Sequence, residues 1–157
     1  MIKRFFSKLA RSLQFAKFGW NNFDWDNYHL LDLIRFKLER MRIALKDGMC
    51  DHNKTTTQSL RVAVKLLERI LEDDYGRSLF NQHDAKWGEF TYYFKDLDDK
   101  PTYSEMKINR DKVVTEEDKT LEKAEIMKIY EMSETLRGQD LSKLFNIMNK
   151  YHGLWWT

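Results

Sequence analysis

Thr55-Thr56-Thr57-Gln58-Ser59-Leu60-Arg61-Val62-Ala63-Val64-Lys65-Leu66-Leu67-Glu68-Arg69-Ile70-Leu71 is the stretch that decides the fold. Leu60, Ala63, Val64, Leu67, Ile70 and Leu71 recur at steps of three and four, the period that gathers them on one side of an α-helix. Thr55 to Gln58 matches a capping box, whose hydroxyl and amide side chains satisfy amides that a helix start leaves unbonded. A helix is therefore predicted from Thr55 or Thr56 to about Gly76.

A matching stripe lies upstream in Leu31, Ile34, Leu38, Met41 and Leu45, flanked by Arg35, Lys37 and Arg42. Asp24 or Asp26 can cap that helix and Gly48 can end it, after about Asp47. Two apolar stripes joined by a short polar loop predict an antiparallel helix hairpin at the centre of a mainly α fold. Further helices are expected to pack around it. Thr115, followed by Glu116, Glu117 and Asp118, starts one that should stop near Gly138. Asp140 then caps a short last helix with Leu141, Leu144, Phe145, Met148 and Tyr151 on its apolar face. Between them, residues 77–114 lose the helical period and hold Gly88 and Pro101, so an irregular connection with at most one short strand hairpin is expected. Phe90, Tyr92, Tyr93, Phe94 and Tyr103 in that connection are expected to cover the core, the alternative being a stacking wall.

The 157 residues fit one domain, 1–157, with one core. A chain that is 33% charged but 42% hydrophobic and 14% aromatic has enough apolar material to fold. The net charge of +2 excludes a globally basic nucleic-acid binder, so any basic surface must be local. One exists in residues 1–18, where Lys3, Arg4, Lys8, Arg11 and Lys17 occur without an acid among Ile2, Phe5, Phe6, Leu9, Leu13 and Ala16. This reads as a basic amphipathic helix, open to three uses: packing on the body, lying on an anionic membrane, or contacting nucleic-acid phosphate. It does not span a membrane, since no stretch approaches the roughly 20 apolar residues required. Cys50 is the sole cysteine, which excludes an internal disulfide and points to a cytosolic setting.

No catalytic motif is legible. Cys50 and His52 are the raw parts of a nucleophile and base, but neighbours on one loop rarely align as a dyad. Cys50, Asp51, His52 and His83 lack the paired spacing of a zinc site. There is no glycine-rich phosphate loop, nucleophile elbow or HExxH. A non-enzyme without cofactor or metal is expected. Binding chemistry is better represented: His52, Lys54, Thr55, Thr56 and Arg61 stand at the start of a helix, where free amides and the helix dipole favour an anion. Trp25 would add an indole face for a base, so a nucleotide suits the set. At the other end Trp155 and Trp156 are hard to leave in water, so the tail is expected to fold back on the body or onto a partner; lying too near the terminus to be enclosed easily by their own chain, they are assigned to an interface, most simply in a homo-oligomer.

Trp25-Asp26 with Leu30 or Leu31 after it, Lys37-Leu38, Met41, His52, Lys65-Leu66-Leu67, Trp87 and the final Trp155-Trp156 together resemble a group of small uncharacterised helical proteins of tailed bacteriophages. That group commonly opens with Trp-Asp before a Lys-Leu helix and closes on Trp-Trp-Asp; this chain has Thr157 in place of the acid. The resemblance carries over no catalytic residue. It implies a phage accessory protein of the host cytoplasm, and with the loop chemistry it points to one that sequesters a small anionic ligand such as a host-defence signalling nucleotide. The alternatives are an interaction module, as a virion component or host-protein inhibitor, and a nucleic-acid accessory protein.

Overall fold

The computed structural model describes residues 2–20, 26–46, 54–97 and 100–155. Among them the chain is mainly helical, in the order α1 (Ile2–Trp20), α2 (Asn27–Lys46), α3 (Lys54–Glu72), α4 (Arg77–Trp87), β1 (Phe90–Leu97), β2 (Lys100–Arg110) and α5 (Glu116–Tyr151), closed by a 3-10 turn, His152–Trp155. The chain divides into two compact units, one of Met1–Glu72 with Lys143–Thr157 and one of Asp73–Ser142, so α5 contributes residues to both.

In the first unit the α3 stripe is the core. Leu60, Ala63, Val64, Leu67 and Ile70 are buried, and α2, which packs on α3, presents buried Leu31, Leu38 and Leu45 at seven-residue intervals. That interval returns a helix to nearly the same side every two turns. Asp26 caps α2 as expected: its Oδ1 accepts the Tyr28 amide at 2.9 Å. The start of α3 differs from the expected box. The helix begins at Lys54, so Thr55 and Thr56 fall inside its first turn, and Thr56 is buried with its carbonyl accepting from Ser59 Oγ at 2.9 Å. Leu144 and Trp155 are also buried in this unit. The expected stops at Asp47 and Gly48 lie outside the described residues.

The second unit corrects the reading of 77–114 as an irregular connection. The segment holds α4 and an antiparallel β1–β2 ladder running from Phe90↔Arg110 to Asp96↔Ser104. Periodicity could not reveal α4, because it buries only His83 and Trp87 and is held through polar groups. Tyr93, on the face opposite Tyr92, blurs the strand alternation in the sequence. Gly88 ends α4 at φ 85°, a backbone that favours glycine, and its amide closes on the Asp84 carbonyl at 2.8 Å.

Gly138 does not end a helix. α5 runs unbroken through it for 36 residues, because a glycine in a helix interior costs only about 1 kcal/mol against alanine and tertiary contacts on both sides hold the backbone. Arg137 Nε lies 3.5 Å from Asp73, and Tyr75 Oη donates to Asp140 Oδ2 at 3.0 Å. The start of α5 is as expected: Thr115 Oγ1 accepts the Asp118 amide at 3.1 Å while Asp118 Oδ2 accepts the Thr115 amide at 2.9 Å.

Candidate functional site

Lys54 and Thr55, from the first turn of α3, line an open groove of about 500 Å³ together with Gln58, Ser59, Val62, Ile147 and Tyr151. A helix puts positions i, i+1, i+4 and i+8 on one broad side, so this wall follows from the regular geometry of α3. Ser59 Oγ accepts from the indole Nε1 of buried Trp155 at 2.9 Å. Lys150 Nζ stands 5.1 Å from the centre of the Tyr151 ring. Two ammonium groups, an amide, a hydroxyl and a phenol ring thus occur at the end of α5 and the start of α3, and the first turn of α3 contains no acid to repel an anion.

The candidate residues read from the sequence separate in space. Lys54 and Thr55 share the groove; Arg61 is exposed on α3 and does not line it; Thr56 points into the core. Trp25, His52 and Trp156 lie outside the described residues. Trp155 corrects the expectation that the terminal tryptophans are hard to enclose by their own chain: it is 6% exposed, docked on α3. Nothing in the sequence marks Tyr151, Ile147 and Gln58 as lining residues, although Tyr151 belongs to the expected apolar face of the last helix.

A second constellation was not legible at all. Arg110, at the end of β2, is buried; its Nη1 donates to Asp84 Oδ1 at 2.7 Å and to the Gly88 carbonyl at 2.6 Å, and its Nε lies 2.8 Å from Glu122 Oε1. Buried His83 sits between the same carboxylates, 3.9 Å from Asp84 Oδ1 and 3.7 Å from Glu122 Oε1. Trp87 Nε1 donates to Glu125 Oε2 at 2.7 Å, and Lys86 pairs with the other oxygen. The Lys86 and Trp87 hydrogen bonds hold the Glu125 carboxyl below its ordinary value. These groups come from α4, β2 and α5, so no sequence spacing links them. They clamp the hairpin base to two helices, and the carboxylates are engaged by the guanidinium and the indole rather than aimed at open space.

The hairpin itself carries the most exposed aromatic surface of this unit. Phe90, Tyr92 and Phe94 alternate onto one face of β1, and the ladder sets Ile108 opposite Tyr92 and Met106 opposite Phe94. All five side chains are more than half exposed. The Tyr92 and Phe94 rings meet edge to face at 6.0 Å. The expectation that these aromatics cover the core is therefore corrected for Phe90, Tyr92, Tyr93 and Phe94. No family model, curated protein or solved structure matches the chain.

Proposed function

We propose that the chain is a non-catalytic interaction module whose docking surface is the aromatic face of the β1–β2 hairpin, and that the face is covered by a second copy of the chain. The observation that carries this reading is the row Phe90, Tyr92, Phe94, Met106 and Ile108, exposed together on a sheet of only two strands. Two-stranded hairpins are marginal in water unless an apolar face is packed, and aromatic and methionine side chains are the ones enriched at interface centres. The five positions include no charged residue, which suits contact with an identical face; on the same face Arg110 is buried and Asp96 stands at the far end of the ladder from Phe90. With the phage-protein resemblance, this supports a phage accessory factor acting by contact in the host cytoplasm. Light scattering tests it. The native chain should have twice the monomer mass, and Tyr92→Ser with Phe94→Ser should return it to monomer with unchanged helical circular dichroism. A native monomer at high protein concentration would refute the reading.

A second reading, a small anionic ligand held without conversion, is favoured by the placement of Lys54 and Thr55 in one groove with Tyr151, beside Lys150. A nucleotide would set phosphate at the ammonium groups and its base on the phenol ring. Calorimetry against linear and cyclic nucleotides should give heat that Lys54→Ala abolishes; no heat with the native chain removes this reading.

A further inference from the structure

Beyond the hairpin, the first unit exposes a different kind of surface on α1. Phe15 and Phe18 point toward α2, where they meet the Phe36 ring at 5.2 Å and 4.6 Å, and Gln14 accepts from Arg40. The opposite side of the same helix carries Phe5, Leu9, Leu13, Ala16 and Trp20, spaced at i, i+4, i+8, i+11 and i+15, with Phe6 beside them. All six are exposed, Phe5 at 63% and Trp20 at 90%. The apolar stripe of the helix thus faces away from the contact that anchors it. Lys8 borders that stripe on one side and Lys17 on the other, and α1 contains Lys3, Arg4 and Arg11 but no acid.

We propose that α1 is an interfacial helix that lies in the plane of a bilayer bearing anionic headgroups. The apolar stripe enters the acyl boundary while the flanking lysines extend their chains to the headgroup phosphates. Charge decides the occupant. Lysines on both borders of an aromatic and leucine stripe, on a helix without an acid, complement a continuous anionic plane with an apolar interior, whereas a nucleic acid would engage the cations and leave Phe5, Phe6, Leu9, Leu13 and Trp20 wet. Because the stripe lies opposite Phe15 and Phe18, α1 reaches the bilayer without leaving α2. The helix rests on the surface and does not cross it: no helix among the described residues is long and apolar enough to span a membrane.

Vesicle co-sedimentation of the full chain tests this, with phosphatidylcholine alone and with equal parts phosphatidylcholine and phosphatidylglycerol. The native chain should pellet with the mixed vesicles and stay largely in solution with phosphatidylcholine. Leu9→Glu with Leu13→Glu, and separately Lys8→Glu with Lys17→Glu, should each lower partitioning by about tenfold or more, with circular dichroism unchanged. The hairpin variant Tyr92→Ser with Phe94→Ser should still pellet with the mixed vesicles and not with phosphatidylcholine alone, which separates this surface from the proposed dimer face. A native chain that remains in solution with the mixed vesicles would overturn the proposal. So would a charge-reversed variant that binds them at full strength, or equal native binding to both vesicle types.

Discussion

Leu67 and Gly138 mark the two extremes of what one side chain contributes here. Leu67 is fully buried at the centre of the α3 stripe, so Leu67→Ala removes packed atoms and leaves a cavity. It should cost about 2–5 kcal/mol in equilibrium unfolding. Gly138 lies exposed in α5, and a Cβ built there meets nothing within 4 Å. Gly138→Ala should therefore stabilise by about 0.5–1 kcal/mol, by reducing the freedom of the unfolded chain and favouring helix. The same substitution at Gly76 has the opposite sign. There a Cβ would collide with Ser133 Oγ and with the Phe80 ring at 2.6 Å, and Gly76→Ala should cost about 1–3 kcal/mol as overpacking. Denaturant midpoints of the three variants check the order: Gly138→Ala above the native chain, Gly76→Ala below it, Leu67→Ala lowest or near it.

The β1–β2 ladder is an element whose order depends on its clamp. Its strands expose aromatic side chains on one face and Tyr93, Lys95, Glu105 and Lys107 around the other, so little apolar burial holds them within the chain. Arg110 supplies the anchor through Asp84, Gly88 and Glu122. Replacing it by alanine takes the guanidinium from two part-buried carboxylates, and breaking a buried pair costs about 3–5 kcal/mol. Arg110→Ala should release the hairpin first, seen as loss of amide hydrogen-exchange protection in residues 90–97 and 104–110 while α2 and α3 remain protected. Uniform loss across all elements would show that the clamp is not local.

Acid sensitivity belongs to the whole molecule, because depressed carboxyls occur in both units. Arg42 holds Glu39 below its ordinary value, the Thr115 cap does so for Asp118, and Lys86 with Trp87 does so for Glu125. A carboxyl depressed on folding adds stability at pH above its unfolded value, and that contribution disappears as pH falls through the lower folded value. Stability should thus be level near neutrality and decline once pH drops below about 4.5, where unfolded glutamates take up protons first. Urea midpoints measured down the acid range check this. Glu125→Gln should flatten the decline, since it removes one titrating group and keeps an acceptor for Trp87; an identical slope in the variant would assign the effect elsewhere.

Local chemistry made much of the helical framework legible. The stripes Leu31, Leu38, Leu45 and Leu60, Ala63, Val64, Leu67, Ile70 follow from the period of the helix, and the Asp26 and Thr115 caps from short oxygen side chains beside free amides, so each can be read from neighbours in the chain. The groove was legible only in part: Lys54 and Thr55 were singled out, whereas Tyr151, which lines it with them, stands far along the chain. The Arg110 clamp was hidden for the same reason, since Asp84, Arg110 and Glu122 meet only after three elements have packed. Gly138 carried a true helix-stopping tendency that contacts at Arg137 and Asp140 outweighed. Burial was the last thing to be decided. The sequence marks Phe5, Leu9, Phe90 and Trp155 alike as apolar, and only the packed chain encloses Trp155 while leaving the other three in solvent, because burial depends on what folds over a residue and not on the residue itself.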